Sequence, residues 1–400
     1  MALLVVVVVL AGGAAGMVLL GVWDTSVTVT DADRMRLDRI KTGLTMAAGL
    51  AAGATLLMAL RRQSLSERAQ RFAESDALEQ RTTALYVAAA DQLASEKAAV
   101  RLAGLYSLER LGQDNPKLRQ TVFNVWCAYL RMPYTPPLEV LRRNAESSPS
   151  RPAEDAPLPE PKEGAERRQE LEVRRTAQRL LAAHVSIDGD GAPLDGYWLS
   201  ERGLLLSIDL TAAELVDFTL GHCVLGDTIL DEAQFHDITD LREAQFYGVA
   251  GLGEAQFHGV VLLSEAQFHD KADLHGTQFH DKAFLRRAHF HSVADLSGTQ
   301  FHDIADLGEA QFHGNADLRG AEFYGMASLG QAQFHGNADL GEVQRITLEG
   351  VHASPRATLP SGWVLSSKLG KNSLFVVTRT GEDRPPAGSR EDAEAPTSIA

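Results

Sequence analysis

Residues 231–274 read DEAQFHDITDL (231–241), REAQFYGVAGL (242–252), GEAQFHGVVLL (253–263) and SEAQFHDKADL (264–274). The same 11-residue unit continues to Leu340, about ten blocks in all, and a fixed period of this kind marks a stacked architecture. Within each block a Phe and a Leu alternate at steps of 5 and 6. The series is Phe235, Leu241, Phe246, Leu252, Phe257, Leu263, Phe268, Leu274, Phe279, Leu285, Phe290, Leu296, Phe301, Leu307, Phe312, Leu318, Phe323, Leu329, Phe334 and Leu340. Upstream, Leu205, Leu210, Leu215, Leu220, Leu225 and Leu230 keep a strict step of 5. Neither the helical period nor simple strand alternation generates such spacing.

A step of 5 with a small residue two positions before each large one, Ala233 before Phe235 and Ala272 before Leu274, resembles the pentapeptide repeat. That resemblance implies an all-β solenoid, a right-handed quadrilateral β-helix in which four five-residue sides complete one coil. The alternating 5 and 6 steps then make a coil of about 22 residues, with the sixth residue (Val249, Lys271, Asn315) at a corner. Residues 205–340 would form six or seven coils, a rod roughly 30 Å long at about 4.8 Å per coil. The Phe and Leu series becomes the interior, each side chain contributing on the order of 1.5 to 3 kcal/mol on burial, and the filled core leaves no lumen for a substrate. Caps are expected around Trp198 and over Gly341 to Val377 with Trp363, because the end coils of a solenoid cannot bury their own faces.

The residue after each repeat Phe is His or Tyr. Coils of about 22 residues sort these into two ladders on opposite sides, His236, His258, His280, His302 and Tyr324 on one, Tyr247, His269, His291, His313 and His335 on the other. Three readings follow: a tolerated surface residue copied by duplication, a charge switch near the imidazole pKa of about 6.5, or a transition-metal site. A metal also wants converging ligands, so no metal or cofactor is assigned. Carboxylates outnumber Lys and Arg by more than two to one between Asp231 and Leu340, which suits a solvated rod surface.

Ahead of the repeat, residues 2–23 and 43–60 are free of charge. The first is long enough for a hydrocarbon core of roughly 30 Å, the second slightly shorter and followed by Arg61 and Arg62. They predict two transmembrane helices over 1–62 that hold the chain in lipid, with Gly12/Gly16 and Gly49/Gly53 at a spacing that lets helices approach. Residues 63–132 read as helical: Ser64 with Glu67 has capping-box spacing, Ser95 and Asn115-Pro116 open further helices, and Leu102, Leu105, Leu108 and Leu111 share an apolar face with Val100 and Tyr106. Pro, Glu, Ser and Ala over 133–166 predict a flexible linker, and 167–197 a helix leading into the solenoid at 198–345. A cap over 346–377 and a disordered tail over 378–400 complete the chain.

The strings Val100 to Leu108, Arg119-Gln120-Thr121, Cys127 to Tyr134, Glu172 to Thr176 and Ala183-His184 resemble actinobacterial membrane-anchored pentapeptide-repeat proteins. The resemblance implies the layout of two membrane helices, a helical region and a repeat domain, and no assigned activity.

A net charge of -15 and a pI near 5.3 exclude a general nucleic-acid binder, which needs clustered Lys and Arg. Cys127 and Cys223 cannot make a disulfide framework, and free thiols with the Arg61/Arg62 stop favour a multi-pass protein of the cell membrane whose bulk is cytoplasmic. Walker, Gly-x-Ser-x-Gly, His-Glu-x-x-His and Cys-x-x-Cys motifs are absent, so no catalytic residue and no enzyme activity are assigned. The expected function is a membrane-tethered, non-catalytic interaction scaffold for an unknown protein partner. The alternative is an acidic DNA mimic that binds a topoisomerase or another DNA-handling enzyme, as the shape resembles the pentapeptide proteins that protect gyrase.

Overall fold

The computed structural model describes residues 31–147, 161–200, 202–341, 343, 351–359, 363–369 and 375–379. Residues 208–353 form a β-solenoid of about six turns. Its short strands stack into four sheets, met in the order I, II, III, IV as the chain circles. Sheet I runs from Ile208–Asp209 to Ala338–Asp339, sheet II from Glu214–Val216 to Glu322–Phe323, sheet III from Thr239–Asp240 to Ala327–Ser328, and sheet IV from Val224–Leu225 to Gln333–Phe334.

The sequence steps set the size of each coil. Where Leu recurs strictly every 5 residues the coil closes after 20, pairing Ile208 with Thr228 and Leu215 with Phe235. Where the steps alternate, it closes after 22, pairing Phe257 with Phe279 and Phe279 with Phe301. Strand amides then donate to carbonyls one coil away, as Leu274 N–H does to Asp295 O at 2.7 Å. The pairing is parallel and in register, so Phe lies on Phe. Ring centroids are 5.0 Å apart for Phe257 and Phe279 and 4.8 Å for Phe279 and Phe301, with planes within 4°. Every Phe and Leu of the repeat series that runs from Phe235 to Leu340 at steps of 5 and 6 is at most 2% exposed.

Two kinds of corner join the strands. After each Leu the chain makes a tight turn whose third residue has positive φ, Gly276 at 63° and Glu265 at 61°, and the next amide returns to the Leu carbonyl. Gly276 and Gly298 are followed by Thr277 and Thr299, whose buried hydroxyls donate to the carbonyls of Leu252 and Leu274. The other corner follows each Phe. There Gly325 passes so close to the coil below that an added Cβ would lie 2.4 Å from the Asp303 carbonyl oxygen, and no side chain fits without moving the backbone.

Helix α1 (Asp31–Leu93) comes first in the chain, and the start of the rod is covered by α2 (Ala98–Asp114), α3 (Arg119–Arg131), α4 (Leu138–Ser147) and α5 (Pro161–Ala183), which belong to the same compact unit as the rod. Helices α3 and α5 lie against the first strands of sheets I and II, and α4 against Gln234–His236. Gln120 lines the open edge of the first coil, its amide donating to Ser207 O and its oxygen accepting from Ser207 N–H. Arg174, 2% exposed, donates to the last carbonyls of α3 at Leu130 and Met132 and is held by Glu170. Trp198 fills the notch left by Gly112, where an added Cβ would meet its ring at 2.4 Å, and His184 stacks on Trp198 at 3.8 Å. At the far end, His352–Ala353 continues sheet IV, followed by the antiparallel strands Phe375–Arg379 and Trp363–Leu369.

Several expectations need correction. Residues 133–166 are no uniform linker: α4 occupies 138–147 with Val140 and Asn144 buried, Pro136 and Pro137 are buried ahead of it, and α5 begins at Pro161. An amphipathic helix of under three turns carries too few apolar residues to outweigh a Pro- and Glu-rich composition in a sequence reading. Ser64 opens no helix, because α1 runs unbroken through it; its hydroxyl donates to Arg61 O, while Gln63–Glu67 and Gln70–Glu74 pairs support the helix surface. Ser95 accepts from Lys97 N–H without serving as the N-cap of α2; Asn115 does stand at the N-cap of the short helical turn Pro116–Leu118, as expected, but its side chain turns back to Leu111 O. Tyr106 is 52% exposed and lies off the apolar face of α2.

Among the described residues α1 is the one helix long and apolar enough to cross a membrane, and it stands as a single candidate span. The run 2–23 lies outside the described residues, as does most of the expected tail over 378–400.

The facing of each repeat can be tested at two adjacent residues. Phe279→Ala should cost about 3 to 5 kcal/mol by opening a cavity in the ring stack, while His280→Ala should cost about 0.5 kcal/mol. Denaturant melts of the two variants measure the difference, and equal losses would show the facing to be wrong.

Candidate functional site

The outward residues of the rod form columns because the inward ones do. His236, His258, His280, His302 and Tyr324 stack along the corner after sheet II with ring centroids 4.9 to 5.0 Å apart. Tyr247, His269, His291, His313 and His335 do the same after sheet IV at 4.1 to 5.2 Å. Both columns assigned to the repeat position are therefore continuous stacks. His289, which replaces the usual Gln of its block, lies 6.1 Å from His291 and 6.5 Å from His313 and widens the second column. Sequence reasoning missed it because it followed only the position after each Phe.

Near-parallel stacking settles how the nitrogens can act. The planes within each column lie within 19° of one another, so the nitrogens run side by side and do not converge on a point. Among the described residues no group of three or more His, Cys, Asp or Glu side chains could hold a metal ion. His236, the first rung, is 5% exposed under α4. Its Nδ1 lies 2.9 Å from Asn144 Nδ2, which donates, and its Nε2 lies 2.7 Å from Glu214 Oε2, which accepts. The accessible part of that column starts at His258.

Burial pushes the pKa of His269, His289, His302 and His313 down. Neighbouring imidazoles add to the effect at His269, His289 and His313, since a protonated ring disfavours protonation of the next. His275 moves upward, chiefly through its hydrogen bond to Asp273, but it stands outside both columns.

The carboxylates also form a column. Asp273, Asp295, Asp317 and Asp339 stack on sheet I, one per coil. Each accepts the amide two residues on, from His275, Ser297, Arg319 and Gly341, and so satisfies a corner N–H. Lys271 bonds Asp273 at 2.6 Å and Arg319 bonds Asp317 at 2.5 Å. Hydrogen bonding from Arg319 holds Asp317 below the usual carboxylate range. For Asp273 burial works upward, and the bonds from Lys271 and His275 outweigh it.

Neither thiol is poised for chemistry. Cys127 is 1% exposed and burial pushes its pKa up to about 12; Cys223, fully buried, is pushed up to about 11.

The period, the four sheets and the filled interior have a counterpart among known families. Residues 230–344 match the family model of pentapeptide repeats, in nine copies. The match runs through overlapping segments from 230–278 to 296–344. Pentapeptide-repeat solenoids are generally structural or scaffold proteins without enzymatic activity. No curated protein and no solved structure matches the chain.

The lowered His pKa values fix the sign of a pH effect on the pentapeptide-repeat rod. A folded pKa below the unfolded value of about 6.5 means that the unfolded chain takes up protons first as the pH falls. The contribution of these four groups is present above about pH 6.5 and is lost as the pH falls through their folded values. The full chain should melt at lower temperature at about pH 5.5 than at 7.5. Replacing His269, His289, His302 and His313 by Gln should remove much of that difference; an unchanged difference would show that the columns do not couple to folding.

Proposed function

We propose that this chain is a non-catalytic interaction scaffold tethered to a membrane. The observation that carries the tether is α1. Its most apolar 18-residue window has a mean hydropathy of 1.7 with nothing buried, and Met46, Leu56, Leu57 and Met58 are 57 to 69% exposed. Leaving such a stretch in water forgoes roughly 25 cal/mol per Å² of apolar surface, which lipid recovers. In this reading residues 2–23 form a first span, 43–60 a second, and the chain is multi-pass with its bulk cytoplasmic.

The scaffold role is supported by the rod's interior. Phe and Leu fill it from Phe235 to Leu340, so binding falls to the outer columns. The two ring columns offer flat ledges to a protein partner whose identity is open. The DNA-mimic alternative draws on the Asp column of sheet I, but those carboxylates are engaged with corner amides, Lys271 and Arg319, which leaves the scaffold the better reading.

Membrane-impermeant thiol labelling of intact cells tests topology. The native thiols are buried and weakly acidic, so they contribute little background. A Cys placed at Ser26 should be labelled and one placed at Ser366 should not. Labelling of both, or of Ser366 alone, would overturn the orientation, and release of the chain by alkaline extraction would overturn the tether. Crosslinking from Asp295 or Asp317 that recovers a topoisomerase would favour the mimic.

A further inference from the structure

Sheets I and III lie on opposite sides of the coil, yet their outward residues differ in kind. On sheet I the outward positions hold Asp273, Asp295, Asp317 and Asp339. On sheet III the equivalent column runs Asp240, Leu262, Phe284, Asp306 and Ser328 in register, and the corner column beside it runs Ile238, Val260, Lys282, Ile304 and Met326. Of the apolar members Ile238 is 52% exposed and Met326 74%, and Val260, Leu262, Phe284 and Ile304 are half-buried. The matching corner column of sheet I has Val249 and Val293 beside Lys271, Asn315 and Asn337, so apolar residues are the more numerous on the sheet III side, which the period alone gives no reason for.

Charge edges this stripe. Asp303 and Asp306 bracket Ile304 in sequence, and Asp240 and Asp281 stand in or beside the same columns, against Lys282 as the one ammonium there. Asp240 is paired with Arg242, and Asp281 accepts Lys282 N–H. Asp306 accepts Gly308 N–H, and Asp303 has no ion pair among the described residues.

We propose that, of the two ring columns, the one after sheet II marks the docking side, that the surface extends from it over sheet III, and that its occupant is a short amphipathic segment of a partner protein carrying Lys or Arg beside its apolar residues. Five coils at about 4.8 Å give a stripe roughly 20 Å long, the length of a few helical turns or a short strand. Two columns make it roughly 10 Å wide, an area on the order of 200 Å², well below the roughly 800 Å² per partner of a stable protein interface, which argues against a second copy of this chain. A second copy would also bring carboxylates against carboxylates, and an anionic lipid surface would be repelled in the same way. Apolar burial would supply affinity, and Asp303 and Asp306 the selectivity for cationic flanks. This rests on the scaffold reading and names the face and the partner chemistry.

The test is photocrosslinking in cells from the full chain, with p-benzoylphenylalanine at Val260 or Phe284, and at Asp295 or Asp317 for comparison. The sheet III positions should give a discrete adduct whose crosslinked peptide contains apolar residues and at least two Lys or Arg, and the sheet I positions should not. Asp303→Asn with Asp306→Asn should lower the adduct yield about fivefold or more, the loss of two half-buried charge contacts, while Asn keeps the acceptor for Gly308 N–H. Thermal melts of that variant should match the natural chain. Crosslinks to lipid, to a second copy, to another part of this chain or to an acidic peptide would overturn the proposal, as would equal adducts from both sheets, none at all, or indifference to the Asn variant. Because topology is read separately by thiol labelling, failure here is distinguishable from failure of the tether.

Discussion

Stacking in register is the constraint from which the remaining features follow. A coil of two-residue strands cannot satisfy its own amides, so each coil takes its hydrogen bonds from the coils above and below. Through the 11-residue blocks, parallel pairing at a 22-residue offset places every residue over its counterpart. The ring stacks, the carboxylate column and the glycine corners are consequences of that offset. A unit with a favourable inward face therefore propagates, and an unfavourable outward one accumulates like charges unless local partners relieve it. Glu265, Arg287 and Glu309 show the relief: the three stack at one corner with alternating sign, and Arg287 pairs with both neighbours.

The same dependence makes the ends the weak points, since an uncovered coil exposes strand edges and apolar rings. The helices answer this at the start of the rod. Gln120 supplies peptide-like bonding to Ser207, the segment at Val185 to Ile187 pairs with the chain around Cys223, and Arg131, Arg143 and Arg175 reach Asp209, Asp237 and Asp217. Helix and rod interiors then form one apolar cluster from Ala89 to Val377. The buried Arg174 makes this cover specific: removed from its carbonyls and from Glu170, it would leave a charge without compensation.

Much of the rod was legible in the sequence because coil length, core composition and facing are local functions of spacing. The steps of 5 and 6 correspond to coils of 20 and 22 residues, and the two ladders follow from doubling the 11-residue period. Helix α4 escaped because its stability comes from what it touches. Asn144 bonds His236 across 92 residues and Arg143 reaches Asp237, partners that no local window contains.

The sequence by itself determined the period, the identity of the inward residues and the presence of stacked His, because in-register stacking repeats whatever the unit contains. Tertiary structure alone decided which outward residues share a side. That depends on how four sides close into a coil, which sets Asp295 and Asp317 opposite Phe284 and Leu262. It also decided the downward shift of His269, His289, His302 and His313, since burial and ring-to-ring proximity act through space and leave no mark on composition.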